Sequence, residues 1–80
     1  MTDVPDELIR LERSAQEERA ALAGLTGDAY EAQWRRWRTA SEAVRAAVTR
    51  RAAATGADEH EVEHAVQIAV RQAQEDPAVE

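Results

Sequence analysis

Gln33-Trp34-Arg35-Arg36-Trp37-Arg38 holds both tryptophans of the chain and three of its ten arginines. Phenylalanine is absent, and the single tyrosine, Tyr30, lies four residues before Trp34. Tyr30, Trp34 and Trp37 follow the i, i+4, i+7 spacing that puts side chains on one helical face. The aromatic surface of the chain is thus gathered on one helix, flanked by arginines. Continued toward the C-terminus, the same face takes in Ser41, Val44 and Val48. Asp28, with Glu31 three residues on, has the pattern of a capping box. Gly56 has the place of a left-handed helix terminator. The spacing therefore predicts a helix over 29–55, about 40 Å long at ~1.5 Å per residue.

Working outward, Leu8, Leu11, Ala15, Glu18, Leu22 and Leu25 fall on a 3-4 spacing, a seam interrupted only by Glu18. They predict a helix over 4–23, with Pro5 in its first turn and Asp3 and Asp6 available to its free amides. Gly24 and Gly27 bracket the turn, and so short a link favours antiparallel packing of the two helices. A third helix is expected over 59–75, opened by Asp58 and Glu61 and stopped at Asp76 by Pro77. Its Val62, Ala65, Val66, Ala69, Val70 and Ala73 cover an arc of about 140° at 100° per residue, while Ile68 falls outside it. The fold class expected is all-α: an antiparallel helical hairpin plus a third helix, completed by dimerisation, forming one domain over 1–80.

Composition supports that last step. Of the 80 residues, 44% are hydrophobic, but 18 of these are alanine, and Leu, Ile and Val together number only 13. Burial so limited, with a net charge of −6, approaches the composition of chains that stay disordered. The polar residues are nevertheless strong helix formers, and Gly and Pro total only five. A helical chain that buries too little alone is expected to complete its core by association. Zero cysteines exclude disulfide and thiol chemistry and fit a cytoplasmic location. Met1-Thr2-Asp3-Val4-Pro5 has neither a basic start nor an apolar run, so no signal peptide is expected. No apolar stretch reaches ~20 residues, so no membrane span is expected.

Charge is divided between the helices. Six arginines against Glu31 and Glu42 make 29–55 basic at +4, whereas 59–75 carries Glu59, Glu61, Glu63 and Glu75 against Arg71. An acidic helix beside a basic one favours packing and register. The arginines Arg35, Arg36, Arg38, Arg45, Arg50 and Arg51 also raise a nucleic-acid reading, in which they neutralise phosphates while a tryptophan stacks on a base. The net acidity of the chain, the tryptophans' place on the seam, and Glu31 placed to pair with Arg35 all weigh toward a solvated or acid-paired face.

His60-Glu61-Val62-Glu63-His64 matches the H-E-x-x-H pattern of zincin metalloproteases, in which two imidazoles share a zinc and the glutamate acts as general base. A third ligand is missing from the sequence downstream, where Ala65-Val66-Gln67-Ile68 follows. His60 and His64 are therefore expected to bind metal adventitiously only, with no cofactor required. Ser41, with no histidine near it in sequence, reads as a small packing residue.

Residues 52–66, Ala52-Ala53-Ala54-Thr55-Gly56-Ala57-Asp58-Glu59-His60-Glu61-Val62-Glu63-His64-Ala65-Val66, resemble the helix–turn–helix half of ribbon-helix-helix repressors, which carry a Thr-Gly turn with similarly spaced Glu and Ala. In that family a basic β-strand precedes the segment and reads DNA. A long helix occupies that place here, so no DNA-reading residue carries over. The chain as a whole is similar to short, uncharacterised helical proteins of actinomycetes, a resemblance that implies no activity.

The function expected is that of a non-enzymatic helical protein-interaction or regulatory module, homodimeric, possessing a packing and interaction set of Leu8, Leu11, Leu22, Leu25, Tyr30, Trp34, Trp37, Val44 and Val48. Within it, Tyr30, Trp34 and Trp37 are expected in the core against Leu22 and Leu25, since large aromatics usually bury. The alternative is a small DNA-associated regulator using the Arg-rich second helix. A zinc-dependent hydrolase working through His60–His64 is the more distant one.

Overall fold

The computed structural model describes residues 4–75, which form α1 (Asp6–Ala20), α2 (Gly27–Thr55) and α3 (Glu59–Glu75), with no strand among them. The all-α expectation holds, and the bounds of α3 are those the sequence indicated. Asp3, Asp76 and Pro77, which the sequence places at helix ends, lie outside the described residues.

The other two helices differ at their ends. α1 stops at Ala20 rather than Ala23, because Leu22 N and Ala23 N turn back to the Arg19 and Ala20 carbonyls in tight i, i+3 bonds of 3.1 and 3.2 Å. Its N-terminus is Pro5, whose carbonyl accepts from Leu8 N at 3.0 Å with no side-chain cap. α2 begins at Gly27, two residues early. Thr26, extended at φ −142°, is its N-cap, and no side chain caps it, so the capping box proposed for Asp28 and Glu31 does not form. Asp28 lies inside the first turn, and Glu31 faces Arg35 instead. Gly56 does terminate α2, with φ +76° and its N–H on the Ala52 carbonyl at 2.8 Å. Beyond it the Asp58 carbonyl accepts from Glu61 N and Val62 N, starting α3.

α1 and α2 are antiparallel, as Gln33 meets Glu18 at one end and Leu8 shares a hollow with Ala47, Arg50 and Arg51 at the other. α3 then lies across the open end of this hairpin. Leu8, Ala47, Val48, Ala52, Val62, Val66 and Val70 form the core, joined at its edge by Val4, Ile9, Leu11, Val44 and Ala57. Its valines Val48, Val66 and Val70 are fully buried. Of the predicted α1 seam, Leu8 and Ala15 are buried and Leu11 and Glu18 half-buried; Leu22 and Leu25 are half-buried too, but past the end of α1, in the turn. On α3 the predicted arc is also correct except at Ala73, which is exposed. Ile68 is exposed, as its position outside the arc implied.

The core is small and aliphatic, and it sits at one end of a slab measuring 44 × 36 × 16 Å. Helices pack about 8–10 Å apart, so 16 Å leaves room for no more than two layers. The radius of gyration, 14.3 Å, exceeds the roughly 12 Å expected of a compact chain of this length.

Two substitutions separate packing from backbone strain. Leu8→Ala should lower stability by about 2–5 kcal/mol, since all three helices share its cavity. Gly56→Ala should cost only about 1–2 kcal/mol: nothing lies within 4 Å of an added Cβ, so the cost is purely that of a left-handed backbone. Thermal melting followed by circular dichroism tests both, and a Gly56→Ala loss equal to that of Leu8→Ala would contradict the assignment.

Candidate functional site

α2 carries one stripe along its whole length. Tyr30 and Val48 are separated by five turns at about 3.6 residues each, as are Trp34 and Ala52, so each pair projects at the same angle. At the C-terminal half the stripe is covered by α3, leaving Val48 1% and Ala52 5% exposed. The N-terminal half has no such cover, and there Tyr30 is 41% and Trp34 38% exposed. This corrects the expectation that Tyr30 and Trp34 lie in the core against Leu22 and Leu25: α1 ends at Ala20, both leucines belong to the turn, and α3 covers only the other half of the stripe. Trp37, turned nearer to α1, is half-buried beside Ser41 and Val44.

The rings are organised. Trp34 and Trp37 meet edge to face, with centroids 6.4 Å apart and planes at 66°. The Arg38 guanidinium carbon stands 5.5 Å from the Trp34 ring centroid, within cation–π range, while its Nε donates to Glu42 Oε2 at 3.2 Å. Glu31 and Arg35 approach at 4.0 Å one turn earlier, and both pairs are largely exposed. Tyr30, Glu31, Trp34 and Arg35 line a shallow surface hollow of about 330 Å³. The result is an open aromatic surface bordered by the sequence Glu31, Arg35, Arg38, Glu42 along one flank.

Gln33 is the residue that reading the sequence missed. It is 8% exposed, and its Nε2 donates to the Glu18 carbonyl at 2.8 Å and to Glu18 Oε1 at 2.6 Å. Glu18, which interrupted the α1 seam, is there as the acceptor. No periodicity could reveal this, because each residue looks like a polar fault in its own helix. The signal available was that the two faults fall on facing seams of an antiparallel pair.

The arginines do not form one basic face. At about 100° per residue, Arg36 and Arg50 project from the opposite side of α2 to Arg38 and Arg45, and Arg35 and Arg38 have carboxylate partners. Arg51 is half-buried at the junction of the three helices, in a hollow shared with Val4, Leu8 and Val62. His60 and His64 are exposed, and no group of three or more His, Asp or Glu residues suited to a metal occurs among the described residues. The hollow holding Ser41 is lined by Glu12, Arg19, Trp37, Arg45 and Glu63 among others, but by no histidine.

Among the described residues no helix is long and apolar enough to cross a membrane. No protein-family model, curated protein or solved structure matches the chain.

Gln33→Ala should cost about 1–3 kcal/mol, the penalty for an unsatisfied part-buried carbonyl, whereas Glu18→Gln keeps both acceptors and should cost far less. His60→Gln with His64→Gln should stay within about 0.5 kcal/mol of the parent. Chemical denaturation of the three variants checks the ordering; equal losses in the Gln33 and Glu18 variants would count against the carbonyl bond as the important one.

Proposed function

We propose that this chain is a non-enzymatic helical interaction module that works in the cytoplasm as a homodimer. One observation carries the reading: the stripe that packs α3 onto α2 continues, unoccupied, across Tyr30 and Trp34. The exposed half bears the largest side chains of the protein, whereas its own core uses leucine, valine and alanine. Tyrosine, tryptophan and arginine clustered at one surface are the residue types enriched in protein–protein hot spots. The carboxylates beside Arg35 and Arg38 favour a protein over a polyphosphate, since they would repel the phosphates those arginines would have to meet.

Sedimentation equilibrium from micromolar to millimolar concentration tests this. The mass should rise from 8.9 kDa toward twice that value with increasing concentration. Trp34→Ala should hold the mass at the lower value while the helical signal remains, with a stability loss of about 1–3 kcal/mol from the edge-to-face pair and the covered part of the ring. Binding to duplex DNA that weakens steeply with salt, at an unchanged monomeric mass, would favour the nucleic-acid reading instead.

A further inference from the structure

We propose that His60 and His64 are half of a zinc site, completed by the same two histidines of a second copy of this chain across a two-fold axis through the ion. The site lies on α3, away from the aromatic stripe, and does not rest on the docking proposed there.

Helical spacing pairs the two imidazoles. Four residues apart, His60 and His64 are separated by about 6 Å along α3 and about 40° around it, so both reach one ion from one face. Both are exposed, and their mean direction lies about 140° from that of the fully buried Val66. One chain adds nothing to the pair. The positions one turn before His60 are Gly56 and Ala57, and those one turn after His64 are Gln67 and Ile68, none of them a usual zinc ligand. Among the described residues no group of three or more His, Asp or Glu suited to a metal occurs. A structural zinc takes four ligands in a tetrahedron. The chain offers two on an open, convex helix face, and a two-fold axis through the ion doubles them to four.

Charge makes the ion necessary to the contact. Glu61 and Glu63 stand about 80° to either side of the histidine pair, with Glu59 in the same two turns. Two such faces brought together without a cation set carboxylate near carboxylate, which opposes association. A dication between them reverses that sign. The same carboxylates offset the positive end of the α3 dipole, which disfavours a cation at this end of a helix. Ile68, 36% exposed, stands one turn beyond His64 and about 40° round from it, apolar surface beside the ligands that the fold itself leaves uncovered.

The test is sedimentation equilibrium at low micromolar concentration, with zinc chloride at one ion per two chains or with a chelator. It is run on the parent and on Trp34→Ala, in which the aromatic stripe is disabled. In both, zinc should raise the mass above its value in chelator, from the 8.9 kDa of one chain toward twice that value. Equilibrium dialysis should find one ion bound per two chains. His60→Gln and His64→Gln, each alone, remove two of the four ligands and should abolish the rise with zinc. Circular dichroism should show the helical content of the parent in both variants, since neither side chain is buried. Zinc taken up at one ion per chain with the mass unchanged means an adventitious ion only, and overturns the shared site. The absence of uptake overturns it too, as does a rise in mass that survives in either histidine variant. The stripe reading is judged separately, by the metal-free mass at higher concentration.

Discussion

The amide of Gln33 closing the end of α1 is the constraint on which the hairpin depends. A helix leaves its last four carbonyls without intrahelical donors. Here the Glu17 carbonyl receives Ala21 N, Arg19 receives Leu22 N, and Ala20 receives Ala23 N, all from the turn itself. The Glu18 carbonyl is satisfied from another helix, by Gln33 at 2.8 Å. A slide of α2 by one residue would move that amide about 1.5 Å and swing it through about 100°, which breaks the bond. Register along the whole hairpin follows, and with it the arrival of Leu8 beside Ala47. Only then does the open end offer Val48 and Ala52 as a seat for the valines of α3.

That order explains what could be read from the sequence and what could not. Helix content, the α1 seam, the Gly56 stop and the α3 arc are local properties, fixed by spacing and turn chemistry within a few residues. Helix ends are less legible: Gly24 and Gly27 marked the turn, but whether Leu22 joins α1 or turns back depends on a hydrogen bond one residue shorter. Burial at Tyr30 and Trp34 was not legible at all. Their angle on α2 is that of Val48 and Ala52, and the difference between 41% and 1% exposure lies in where α3 ends up, a tertiary fact. Large aromatics usually bury, and that tendency gave the wrong answer because the first helix, expected to cover them through Leu22 and Leu25, ends at Ala20 and leaves both leucines in the turn.

The same geometry redistributes meaning among the charged residues. Counting arginines gave α2 a basic character that invited a phosphate-binding reading. Placed on the helix, they scatter around its circumference, and two of them stand beside carboxylates of the same helix. A summed charge thus describes the helix poorly. The order of signs along one flank describes it better, because order is what a facing helix encounters. His60 and His64 show a similar gap between pattern and place: correct spacing for two ligands, on the exposed first two turns of α3, with no third donor group assembled among the described residues.

Folding and surface are consequently separable in this chain. The buried set is aliphatic and lies around the crossing of the three helices, while Tyr30 stands five turns from Val48 on the same helix and Trp34 meets Trp37 and Arg38. A protein of this size with its largest apolar side chains in the core could not vary them without loss of the fold. Placing Tyr30 and Trp34 outside the core removes that coupling, leaving α2 as a rod held near one end by valines and near the other by Gln33. A rod so held presents its aromatic half with little backbone freedom left to lose, so the ordering cost of any docking there is confined to a few side chains. That is the physical sense in which the small core of the chain and its open stripe belong to one design.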